Sequence, residues 1–175
     1  MIEDLTMRVI PTLSLLLLLG ALTVQVDAAE TAIPDALVAA GKKPVLTLHA
    51  EGAQVYECKT DKDGKLAWTF REPIATLVAD GKTVGRHSAG PSWEHQDGSI
   101  IGGRVQGTAI GATDNDIAWL KLEVVSHRGG KGVLSDVTTV QRINTAGGKL
   151  EGACETAGQF RSVAYSADYV FLRKE

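Results

Sequence analysis

The stretch Ala118-Trp119-Leu120-Lys121-Leu122-Glu123-Val124 decides how this chain is read. Ala118, Leu120, Leu122 and Val124 fall at every second position, with Trp119, Lys121 and Glu123 between them. A period of two sends successive side chains to opposite faces of a strand, so one face is built for an interior. The alternation recurs where Leu66, Trp68 and Phe70 interleave with Lys65, Ala67, Thr69 and Arg71. It recurs again where Val163, Tyr165, Ala167, Tyr169 and Phe171 share one face. Further β-rich runs lie at 45–49, 53–59, 75–79, 82–88, 92–96, 99–106 and 133–143. Short runs punctuated by glycine predict an all-β, antiparallel sandwich or flattened barrel of about eight to ten strands.

Asp-Gly occurs at 63–64, 80–81 and 97–98, evenly spaced. It is a strong hairpin signal, because both central residues of a type I′ turn need positive φ. The spacing predicts a meander over the first half of the domain. Gly64, Gly81 and Gly98 are expected at one end of the sheet. The other reversals, near Glu72-Pro73 and Ala89-Gly90-Pro91, are expected at the opposite end.

The N-terminus reads as a processing signal. Arg8 supplies a positive start, Leu13 to Val24 an apolar run too short to span a bilayer, and Val26-Asp27-Ala28 a small-residue cleavage site. Cleavage after Ala28, with Ala29 the near alternative, leaves roughly 150 residues, the size of one domain. Residues 1–28 are thus a signal peptide, 29–43 a flexible polar lead-in with a short helical turn between Pro34 and Ala40, and 44–175 a single all-β domain. The protein is expected to be secreted or periplasmic. Removing Glu3, Asp4, Asp27 and Arg8 brings the formal charge from −3 to near zero. A near-neutral chain lacks the basic excess that captures nucleic acid or an anionic membrane, so neither is an expected partner. Cys58 and Cys154 are the only cysteines, and in an oxidising compartment they read as a disulfide.

Several segments together resemble a known family. Gly85-Arg86-His87-Ser88-Ala89-Gly90-Pro91-Ser92-Trp93-Glu94, followed by Asp97-Gly98-Ser99, carries most of the likeness. Gln54-Val55-Tyr56-Glu57-Cys58, Trp68-Thr69-Phe70 and Ile117-Ala118-Trp119-Leu120 add to it. So do Gln141 to Gly148 and Tyr165 to Phe171. The ordered set, from about Pro44 to the C-terminus, is similar to the secreted proteins grouped as domain of unknown function 3455. Two departures stand out: Ser88 where an aromatic usually follows the histidine, and Lys149 where a proline often follows the double glycine. The resemblance implies a secreted β domain and carries no activity with it.

His87, Trp93, Glu94 and Asp97 form the densest polar and aromatic cluster. If residues 89–92 hold the reversal, His87 lies across from Glu94, and a carboxylate beside an imidazole suits general acid–base work. Asp97 would support the pair. The plainer reading is an exposed cross-strand ion pair or a brace for the turn. Trp93 and Trp119 are candidates for lining a sugar or aromatic pocket, and Arg142 and Asp168, set in apolar strands, for touching a ligand or pairing with each other. His87, Glu94 and His95 do not suit one metal ion, since neighbours on a strand face opposite ways, so no metal site is expected. The glycines at 102–103, 107 and 111 match no phosphate-binding fingerprint, and no cofactor is expected. The leading reading is a non-enzymatic module that binds an unknown small molecule, glycan or protein. A secreted enzyme using His87 with Glu94 is the second reading, and a structural envelope or matrix protein the third.

Overall fold

The computed structural model describes residues 32–175. The signal peptide read at 1–28 lies outside them. Eight antiparallel strands follow one another in chain order and close into a barrel, β8 pairing with β1. They are β1 (Lys42–Thr60), β2 (Leu66–Ala79), β3 (Lys82–Ser88), β4 (Ser92–His95), β5 (Ser99–Ala109), β6 (Trp119–Gly129), β7 (Thr139–Gly147) and β8 (Phe160–Lys174). The all-β reading holds, and the meander runs through the whole domain. The runs read at 45–49 and 53–59 are one strand, and so are those at 66–71 and 75–79.

That merging corrects the expected turn pattern. No reversal occurs at Glu72-Pro73: β2 passes straight through, with Pro73 opposite Gln54 of β1. Pairing of β2 with β3 begins only at Ala75, so Pro73 sits where that edge needs no donor. Gly64 therefore lies at the opposite end of the barrel from Gly81 and Gly98. Only Asp80-Gly81 has positive φ at both residues, 49° and 71°, as a type I′ turn requires. The turn at Asp63-Gly64 is wider, held by Asp61 Oδ1 accepting the Asp63 and Lys65 amides.

The alternation read from sequence defines the interior. Leu122, Tyr165, Ala167, Tyr169 and Phe171 are buried inside, joined by Leu48, Ala50, Leu77, Ile101 and Val140. The strand at Leu66–Phe70 departs from this: Phe70 is half exposed, because β2 there projects past the short β3–β4 hairpin. The expected run 133–143 also splits. Residues 130–138 form a loop that plugs one end of the barrel with Leu134 and Val137, both fully buried. Asp97 Oδ2 accepts the Val133 amide at 2.8 Å and anchors this plug.

The described part of the lead-in, residues 32–41, makes one 3-10 turn, Asp35–Leu37, and lies across the outside of the barrel. Leu37 is fully buried, and its carbonyl accepts from Gln141 Nε2 at 2.8 Å. Lys121 Nζ donates to the Val38 carbonyl at 3.0 Å. A segment read as flexible is thus tied down over this stretch, by a leucine and two polar side chains that strand periodicity alone does not link to it.

Cys58 and Cys154 are disulfide-bonded, 96 residues apart in sequence. The bond joins the end of β1 to the loop 148–159. That loop also pairs Ala153 with Ala67 and donates the Cys154 amide to Leu66.

Candidate functional site

The plugged end carries the turns at 80–81 and 96–98 and the loop 130–138. The other end, the mouth, carries the turns at 61–65 and 89–91 and the loops 110–118 and 148–159. The two long loops are joined by a bridge between Asp116 and Gly148 and by the Lys149 amide donating to Asn115. Beneath them the interior is not filled. A cavity of about 860 Å³ opens between these loops and the aromatic layer that caps the core.

That layer is built by three strands. His87 of β3 pairs with Trp93 of β4, and their rings stack with centroids 4.7 Å apart. Tyr169 of β8 tilts against His87 at 4.9 Å and meets Trp93 edge-on at 5.4 Å. All three side chains are buried and line the cavity. Tyr165 completes the layer, its hydroxyl 3.5 Å from that of Tyr169.

His87 is neutral here. Nδ1 lies 2.9 Å from the Ser92 carbonyl, which can only accept, so Nδ1 carries the proton and Nε2 is left as an acceptor. Burial lowers its pKa to about 4, the Ser92 carbonyl opposes this, and the charge of Arg142 adds to it. Burial likewise raises Tyr169 and Tyr165, with Arg142 pulling both back.

Arg142 enters the cavity from β7. Its Nε and Nη2 both donate to the Ala118 carbonyl, at 3.1 and 2.7 Å. Among the described residues no carboxylate lies within 4 Å of it. Gln54, on the inward face of β1, is only 2% exposed; its side chain reaches the Tyr165 hydroxyl, and its Nε2 makes no hydrogen bond of good geometry among the described residues. The same is true of Trp93 Nε1. Phe70, Val105 and Ile110 leave apolar surface exposed at the mouth.

The expected His87–Glu94 neighbourhood is not formed. Ser88 pairs with Ser92, so the reversal takes three residues, 89–91, with Gly90 at φ 132°. The register differs by one residue from the expected one, and a slip of one turns a side chain to the other face. Glu94 therefore pairs outside with Arg86, Nη2 to Oε2 at 2.6 Å. Asp97 lies at the plugged end, accepting from Ser99 and Val133 and 3.0 Å from His95. Burial pushes its carboxyl up, but the bonds from Ser99, Val133 and His95 outweigh it and hold the pKa well below the usual range.

Of the ligand candidates, Trp93 and Arg142 line the cavity. Trp119 is buried on the outer face of β6. Asp168 faces outward as well, bonded to His49 Nδ1 at 2.8 Å and to Asn144 Nδ2 at 2.9 Å, so it does not pair with Arg142. Sequence reasoning did not single out Gln54, Tyr56 or Tyr169 for the site. The signal was present: each is a residue with a polar tip at the inward parity of a barrel strand.

The fold and cavity define a closed eight-stranded antiparallel barrel, plugged at one end and open at the other. The chain belongs to the family described as protein of unknown function (DUF3455), whose model matches residues 39–83 and 78–173. No curated protein matches it, and no solved structure does.

Proposed function

We propose that this is a secreted, non-enzymatic binding protein that holds one small, largely apolar molecule in the mouth of its barrel. The observation that carries this reading is the open cavity at the mouth of the barrel, above the aromatic layer. Its volume, about 860 Å³, is that of a small-molecule site. Eight strands is also the barrel size that encloses one such ligand. An aromatic layer below and apolar surface at the mouth suit a hydrophobic guest. Binding is favoured over catalysis because His87 has a pKa of about 4, and neither Glu94 nor Asp97 reaches it. Export is supported by the disulfide, a bond that persists in oxidising compartments.

The test is titration with N-phenyl-1-naphthylamine, a neutral apolar dye that brightens out of water. Saturable uptake of one dye per chain is expected. Leu120→Trp, which puts bulk into the cavity wall, should abolish it in a chain whose circular dichroism is unchanged. Absence of saturable uptake, or uptake indifferent to that substitution, would overturn the reading.

A further inference from the structure

Donors predominate among the polar groups facing the cavity interior, with His87 Nε2 as an acceptor beside them. Arg142 presents a guanidinium with five N–H donors, of which two are spent on the Ala118 carbonyl, and it also approaches the Tyr169 hydroxyl. Trp93 Nε1 is a buried donor with no acceptor among the described residues, and Gln54, whose side chain reaches only the Tyr165 hydroxyl, makes no hydrogen bond of good geometry through Nε2. A buried donor left unpaired costs roughly 1–3 kcal/mol. A cation on the cavity wall with no carboxylate, beside an unpaired indole N–H and a poorly paired amide, asks for an acceptor from outside the chain.

The groups converge. Gly148 is wedged between Gln54 and Tyr165, since a Cβ there would lie 3.1 Å from Gln54 Cγ and 2.7 Å from Tyr165 Cβ. Tyr165 reaches Tyr169 hydroxyl to hydroxyl, and Tyr169 is the cross-strand partner of Arg142. Trp93 packs on Tyr169 from the other side. One continuous patch thus runs from Gln54 through the two tyrosines to Arg142 and Trp93.

The acidic groups of the cavity wall belong to the mouth. Asp116 is spent on the Gly147 amide and on Thr113, and Glu151 lies 3.5 Å from Lys149. Asp114 is exposed on the loop 110–118, and Arg71, also at the rim, lies 3.4 Å from Glu72 and over the Phe160 ring. The interior patch keeps its positive charge, and above it Phe70, Val105 and Ile110 offer only apolar surface.

We propose that the natural ligand is a hydrophobic carboxylate, its acid group bound inside by Arg142 and Gln54 and its apolar body directed to the mouth. This rests on the small-ligand reading above and adds the charge and orientation of the guest. A carboxylate matches the planar guanidinium and supplies acceptors to the unpaired donors. An uncharged apolar molecule would leave those donors unpaired, and a cation would meet Arg142 unscreened.

Three probes with the same chain separate the cases: dodecanoate, dodecan-1-ol and dodecylammonium, below their micellar concentrations, measured by calorimetry on the oxidised protein. Dodecanoate is expected to bind at least about ten-fold tighter than the alcohol, and dodecylammonium weakest. Arg142→Met should cut the advantage of acid over alcohol to near unity. Should that variant misfold, with the Ala118 carbonyl losing its donors, Gln54→Leu still decides. It removes a cavity-lining donor and leaves the Ala118 carbonyl its donors, so it should weaken dodecanoate several-fold in a chain whose circular dichroism is unchanged. An alcohol that binds as tightly as the acid overturns the inference, as does tight binding of the ammonium, or an acid advantage that survives both substitutions. If the neutral dye still saturates in those cases, the small-ligand reading stands and only the carboxylate falls; if no probe binds, both fall.

Discussion

His87 lies flat on Trp93, ring planes 12° from parallel, with Nδ1 donating to the carbonyl of Ser92, the residue just before that tryptophan. The imidazole is held as an uncharged wall of the cavity. Protonating it would bury a cation beside Arg142.

This predicts a defined acid sensitivity. The folded pKa of His87, about 4, lies below its unfolded value of 6.5. Its contribution to stability is complete above pH 6.5, declines as the unfolded chain takes up a proton, and levels off below about pH 4. The loss amounts to roughly 3 kcal/mol. Urea unfolding of the wild type and of His87→Phe across pH 4–7 measures it: the wild type should lose stability relative to the variant as pH falls through that window.

The same arrangement predicts independence from Glu94, which pairs with Arg86 on the outer face. Glu94→Gln should leave the His87 titration, followed by the ring proton resonances, where it was. The Arg86–Glu94 pair is largely exposed, and a double-mutant cycle should give a coupling under about 1 kcal/mol.

Reducing the Cys58–Cys154 bond frees a long stretch of unfolded chain. In the chain-entropy account the cost is about 4–5 kcal/mol. Denaturant unfolding with and without reductant, or of a Cys58→Ala/Cys154→Ala chain, should show a loss of that order.

At the plugged end, Asp97→Ala removes the acceptor for the Val133 amide and for Ser99. A loss of about 1.5–3 kcal/mol is expected, as for hydrogen bonds to a charged group. Hydrogen exchange should quicken first at Val133 and Leu134. The carboxyl's depressed pKa means that this contribution is complete above the unfolded value and is lost progressively as pH falls below it toward the folded one.

Much of the fold was legible because strand periodicity is local. The inward faces of β6 and β8 follow directly from Ala118–Val124 and Val163–Phe171. The turn at Asp80-Gly81 was readable because both residues need positive φ there. The site was legible only in part. Trp93 and Arg142, whose chemistry marks them in the sequence, line the cavity. Glu94 was placed on the wrong face because one residue of loop length at 89–91 decides between the two faces. Gln54 was overlooked because an inward amide in a strand is indistinguishable from an outward one until the register is known.

Taken by itself, the chain determined what depends on neighbours in sequence. That covers the strands, their apolar faces, one tight turn and, through the count of two, the cysteine pair. Closure of β8 onto β1, the straight run of β2 through Pro73 and the plug at 130–138 were decided by the tertiary structure, as was the open cavity at the mouth. Each depends on how residues tens of positions apart divide a shared volume, and local periodicity carries no information about volume.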